Sequence, residues 1–250
     1  MREYFAALIL YLLSLPGHGD TGDDAQRLLE RVRAQHRAAT VVSELRVEIV
    51  RPDWKRTLKL HIMEDQERQR YRSKVRSPRK LRGTLFLKAG RRLWMYMPKL
   101  RCRVVISPAM MLEPWMGSDL NNQDLLEGDA LIDDYRHRVV ERREIDGTEA
   151  TTIESLPREN AAVVWGRLEQ RIRDDVVPLE ITFYDTHGKA VRRIEFSHHK
   201  DFGGHRLPSR WRVVPLPEEG KYTELHVESM AFDIPLPKDA FRALPTEAAH

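Results

Sequence analysis

Three histidines, His198, His199 and His205, form the best candidate metal set in the chain. Neighbouring residues of an extended strand point to opposite faces, so only one of the adjacent pair could join His205. No carboxylate or cysteine stands at a spacing that completes tetrahedral ligation, and strand-end histidines are expected instead. Ser118 has Asp119 beside it but no local base, which suits a turn or a cap better than a nucleophile. The acidic pairs Asp133-Asp134 and Asp174-Asp175 fall near expected strand ends and read as solvated turns. The nucleophile-elbow, dinucleotide, phosphate-loop and zinc-helix patterns are missing. No catalytic residue, metal or cofactor is therefore expected.

A different chemistry is offered by Met110, Met111, Leu112, Trp115 and Met116. Methionine adapts its shape to irregular apolar partners, so this cluster suits a cover over a hydrophobic groove as well as it suits a core helix. The elements around it must supply that groove. Leu45, Val47 and Ile49 alternate with charged residues, as do Leu58, Leu60 and Ile62, and both runs read as half-buried strands. Leu85, Leu87, Trp94 and Tyr96 are placed on the same apolar face, flanking a hairpin turn at Ala89-Gly90-Arg91.

Ahead of the strands, Asp23 to Ala39 has Ala25, Leu28, Leu29 and Val32 at helical spacing and predicts one amphipathic helix. Period-two patterns resume from Tyr135 to Phe232, with Asp146-Gly147, His187-Gly188 and Gly203-Gly204 as turns. The whole predicts a mainly β fold: a curved antiparallel half-barrel, or incomplete β-barrel, of about 11 strands, with an N-terminal helix and a central helical lid. No helices alternate with strands, which excludes a doubly wound α/β fold.

The N-terminus carries its own signal. Arg2 precedes an apolar run of about a dozen residues, Tyr4 to Leu15, which suits a signal-peptide core and is too short for a membrane span. Gly17 and Gly19 fit the small residues before a cleavage site, so residues 1–19 are expected to be removed and 20–250 to form one periplasmic domain. The lone cysteine, Cys102, excludes an internal disulfide and is expected in the core. A formal charge of +4 on 250 residues is mildly basic, and its excess is expected to come from mixed charges such as Arg142, Arg143 and Glu144.

Three further segments carry a resemblance: Gly83-Thr84-Leu85-Phe86-Leu87, Leu93-Trp94-Met95-Tyr96-Met97-Pro98, and Met116-Gly117-Ser118-Asp119 followed by Asp124-Leu125-Leu126. In this order they resemble outer-membrane lipoprotein-sorting proteins of the LolA/LolB-like superfamily, in particular the branch found beside resistance–nodulation–division exporters. The resemblance implies a strongly curved incomplete barrel whose cavity takes acyl chains of lipoproteins or lipids. It implies a non-catalytic monomer, working between an inner-membrane exporter and an outer-membrane acceptor, with no nucleic-acid partner. The alternative is an accessory binding module of such an exporter. Under the carrier reading, the strand residues named above would form the floor of the cavity. Met110, Met111, Trp115 and Met116, with the first helix, would form its movable cover.

Overall fold

A computed structural model describes residues 21–90, 92–125, 130–161 and 163–242. The expected signal peptide, residues 1–19, lies outside them.

The chain opens with helix α1 (Thr21–Gln35), which begins with Asp23 and Asp24 in its first turn, where the helix dipole favours negative charge. It buries Ala25, Leu28 and Leu29 and stops before the expected Ala39, because the chain turns at His36 to enter the sheet. Six strands follow as a meander: β1 (Thr40–Val50), β2 (Lys55–Asp65), β3 (Arg70–Ser77), β4 (Leu85–Ala89), β5 (Arg92–Met97) and β6 (Cys102–Ile106). Seven more form a second meander: β7 (Tyr135–Ile145), β8 (Thr148–Pro157), β9 (Arg167–Arg173), β10 (Pro178–Tyr184), β11 (Ala190–Asp201), β12 (Arg206–Pro215) and β13 (Tyr222–Phe232). Alternating apolar and polar residues drive these strands, since each has one face to bury and one to wet.

The two meanders join where the first strand pairs the last, with Val47 opposite Leu225 and Ile49 opposite Thr223. The result is one antiparallel, open and curved sheet of 13 strands, ordered β6-β5-β4-β3-β2-β1-β13-β12-β11-β10-β9-β8-β7. Strands β6 and β7 are its two free edges. They are consecutive in the chain, so the segment between them has to cross the sheet from one edge to the other. Its Trp115, Met110, Met111 and Met116 pack against the core on the concave face, so the segment crosses as a flap over that face.

The flap is less helical than expected. Its described residues hold three single-turn 3-10 helices, Pro108–Met110, Trp115–Gly117 and Gln123–Leu125, and one short α-helix, α2 (Ala130–Asp133). Pro108 and Pro114 lack amide donors, and Met116 and Gly117 both have positive φ, 53° and 78°. Continuous helix is broken at each of these points.

Candidate functional site

Cross-strand register decides which residues face the flap. Ile62 pairs Ser73, Ser73 pairs Phe86, Phe86 pairs Met95, and Met95 pairs Val104, so these five share a face. Leu45, Val47, Ile49, Leu58, Leu60 and Ile62 lie on the same concave face and pack into one core with Phe86, Leu93, Ile106 and Trp115. Those six therefore face the concave side, although none of them lines the cavity beneath the flap.

Leu85, Leu87, Trp94 and Tyr96 are a correction. They pair with Lys74, Arg72, Val105 and Arg103, and the pleat turns all four to the convex face. Both faces of Leu85-Phe86-Leu87 and of Leu93 to Met97 are apolar, so a period of two has no contrast to read there. Leu87 is nevertheless buried. Beside it, the C-terminal segment crosses the convex face: Arg72 Nη1 donates to Ala240 O at 3.0 Å, and the Arg70 guanidinium lies 4.6 Å over the Phe241 ring.

Between the concave face and the flap lies a cavity of about 290 Å³. The sheet side is lined by Leu81, Thr84, Phe86, Met95, Met97 and Ile106, and the flap side by Met110, Glu113, Pro114, Met116 and Asn122. Two of the four expected cover residues, Met110 and Met116, line it. Trp115 instead plugs the floor beside it, 2% exposed, with its ring 5.6 Å from that of Phe86. Met111 packs against the same core. Helix α1 covers a separate part of the concave face, where Leu28 and Leu29 meet Ile132, Ile153 and Ile172. It is not part of the cavity lining.

Polar contacts fasten the flap down. Arg51, just past the end of β1, donates from Nη1 to Asp119 Oδ2 at 3.0 Å and from Nη2 to Gly117 O at 2.9 Å. Thr223 Oγ1 donates to the same Asp119 oxygen at 2.6 Å, and Arg56 Nη1 donates to Met116 O at 3.2 Å. At the flap's far side, Arg192 grips both oxygens of Asp124 at 2.7 and 2.8 Å. The Arg192 guanidinium also lies 4.2 Å from the Phe183 ring centre and 4.8 Å from that of Trp165. Ser118 serves the turn, as its sequence suggests: its hydroxyl donates to Trp115 O at 2.6 Å and accepts from Leu120 N at 3.2 Å.

The closed arrangement is not fully satisfied. Trp115 Nε1 and Arg192 Nε are buried without a hydrogen-bond partner among the described residues. An orphaned buried donor costs about 1–3 kcal/mol.

The histidines that could have bound metal go to separate partners. His198 Nδ1 lies 3.0 Å from Ser197 Oγ, His199 Nε2 lies 3.3 Å from Pro178 O, and His205 Nδ1 lies 2.8 Å from Gln35 O. Asp133 and Asp175 pair with Arg33 and Arg173. Cys102 is half-buried at the start of edge strand β6 and not in the core.

An open, curved antiparallel sheet of this kind is shared with solved structures of low sequence identity. A DUF1329 family protein from Desulfovibrio piger superposes with a TM-score of 0.82 at 22% identity, covering 90% of this chain and 98% of its own. A domain from Vibrio parahaemolyticus, assigned as an outer membrane lipoprotein-sorting protein, gives 0.77 at 18% identity, covering 88% and 97%. A LolA superfamily protein from Nitrosomonas europaea gives 0.73 at 18% identity, with the same coverages of 88% and 97%. At these identities the likeness is one of fold. Residues 67–244 match a family model described as that of an uncharacterized protein, and the chain belongs to that family. No curated protein matches the sequence.

Proposed function

We propose that this protein is a non-catalytic periplasmic carrier that holds acyl chains of lipoproteins or lipids between its concave sheet face and its flap, for delivery toward the outer membrane. The observation that carries the reading is the apolar, methionine-lined cavity beneath a segment held down by apolar packing and by polar contacts at its two sides.

Its size sets the mechanism. A cavity of about 290 Å³ is at the small end of the range of about 300–1,000 Å³ for ligand pockets, so a whole acyl chain requires the flap to move. Burying a chain of about 16 carbons gains on the order of 12 kcal/mol, at about 0.8 kcal/mol per methylene. Lifting Trp115, Met110 and Met116 off the floor forfeits apolar burial that offsets much of this gain. Cargo and flap compete for one surface, and that competition keeps binding weak enough for release. Methionines suit it because they repack against either partner.

Native mass spectrometry of protein purified under mild conditions tests the proposal. Retained acyl species, or uptake of a spin-labelled fatty acid by delipidated protein, supports it. Protein that carries no acyl species and takes up none overturns it.

A further inference from the structure

The mildly basic total conceals a segregation that contradicts the expected scatter of mixed charges. From Arg68 to Leu112 the chain has fourteen Lys or Arg and no Asp or Glu. Since the whole chain carries only +4, everything outside this block is net acidic.

The fold brings six of these cations together at one end of strands β3 to β6. Arg76, Arg79, Lys80 and Arg82 are exposed on and beside the β3–β4 turn, and Lys99 and Arg101 on the β5–β6 turn. The two turns touch: a side-chain carbon on Gly83 would lie 3.0 Å from Pro98 Cγ. Among the described residues none of these six cations takes part in an ion pair, whereas most arginines of the other meander are paired with carboxylates. Leu100 stands among them 70% exposed, and Val105 on the adjoining edge strand is 56% exposed. The cavity lining reaches into the same turns, since Leu81 sits between Lys80 and Arg82, and Met97 precedes the turn that holds Lys99.

We infer that this end of the sheet docks on the phosphate-bearing surface of an anionic lipid bilayer, bringing the acyl cavity to the membrane. Unpaired cations match the charge of that surface, and exposed Leu100 and Val105 match its apolar depth, which a nucleic-acid backbone would not use. The inference deepens the carrier reading and rests on it for the purpose of the contact, but its test does not.

Each Lys or Arg held near an anionic membrane strengthens partitioning about fivefold, and added salt screens the effect. The full-length chain is sedimented with vesicles of mixed phosphatidylglycerol and phosphatidylcholine, and with pure phosphatidylcholine, at about 0.05 and 0.5 M salt. Binding is expected to the anionic vesicles only, and to fall at high salt. Replacing Arg82, Lys99 and Arg101 with Gln should weaken it on the order of a hundredfold. Replacing Arg143, Lys189 and Lys200 with Gln, the same charge removed elsewhere, should leave it largely unchanged. Comparing variants with the parent chain cancels any contribution of the apolar N-terminal stretch. Circular dichroism establishes that each variant is folded.

Equal binding to both vesicle types overturns the inference, as does an unaffected Gln variant of the tip. Tight binding to duplex DNA without vesicle binding also overturns it. Protein that binds anionic vesicles yet holds no acyl species keeps the docking surface and sinks only the carrier reading.

Discussion

Arg192 and Asp124 form a two-pronged contact, 2.7 and 2.8 Å, that ties the flap to the concave side of β11 while the same guanidinium stacks on Phe183 and Trp165. A planar guanidinium can hold both carboxylate oxygens and still present a face to an aromatic ring, whereas an ammonium makes only point contacts. Arg192 is 5% exposed, so the pair is held away from water. Its worth therefore shows when one partner is removed.

Asp124→Ala should destabilise the fold by about 3–5 kcal/mol, because it leaves a buried cation alone. Arg192→Lys should not rescue the contact. Hydrogen exchange gives the local readout: the amide of Asn122, bonded to Glu113 O, and that of Gln123, bonded to Met111 O, should lose protection before the β1–β2 ladder does. Uniform loss across the sheet, or no loss in the flap, would show that this pair does not hold the flap.

Filling the cavity should block uptake without breaking the fold. Met95 faces the space of about 290 Å³, and Met95→Trp would occupy much of it. Fatty-acid affinity should fall at least about tenfold, equivalent to about 1.4 kcal/mol. Leu85→Ala, on the convex face, should leave affinity as it is. The reverse pattern would mean that Leu85, and not Met95, faces the cargo.

Stability should fall as the medium becomes mildly acidic. Burial pushes the His137 imidazole below its ordinary value of 6.5; the bond to Ile132 O opposes this and the Arg158 charge adds to it. Burial is also the chief cause that lowers His36, His199 and His226. With a depressed value in the fold, each group binds fewer protons folded than unfolded once pH drops below about 6.5. Their contribution is complete above that pH, declines as pH falls through it, and stops declining below the folded value. The urea midpoint should therefore be lower at pH 5.5 than at pH 7.5, with a shallower dependence in His137→Gln. A midpoint that rises on acidification would contradict the assignment.

Gly166 allows the approach of two strands. A side-chain carbon there would lie 2.6 Å from Asp185 O and 2.8 Å from Thr186 Cα, while Gly166 N donates to Tyr184 O at 3.0 Å. These obstacles are backbone and cannot swing aside. Gly166→Ala should cost about 1–3 kcal/mol in urea denaturation. A neutral result would mean that β9 and β10 can separate freely.

Several of these features could be read from the chain before folding. The helical stripe of Ala25, Leu28 and Leu29 is buried as its spacing foretells, and Val47, Ile49, Leu58 and Leu60 point inward as their alternation requires. The break in that alternation from Pro108 onward also located the flap. In each case a local contrast between apolar and polar neighbours carried the information. Where the contrast vanishes, as in Leu93 to Met97, the facing of a strand depends on hydrogen-bond register with its neighbours, which turns Trp94 and Tyr96 to the convex face.

Residue order alone therefore determined the class of fold and the identity of the covering segment, because periodicity and chain breakers are short-range properties. Only tertiary structure decided what holds that cover in place. Asp119 meets Arg51 and Asp124 meets Arg192 across 68 positions in opposite directions along the chain. Nothing in the neighbourhood of either aspartate encodes such a distance. It is set by the pairing of the first strand with the last, which leaves β6 and β7 as opposite edges and sends the flap across the hollow between them.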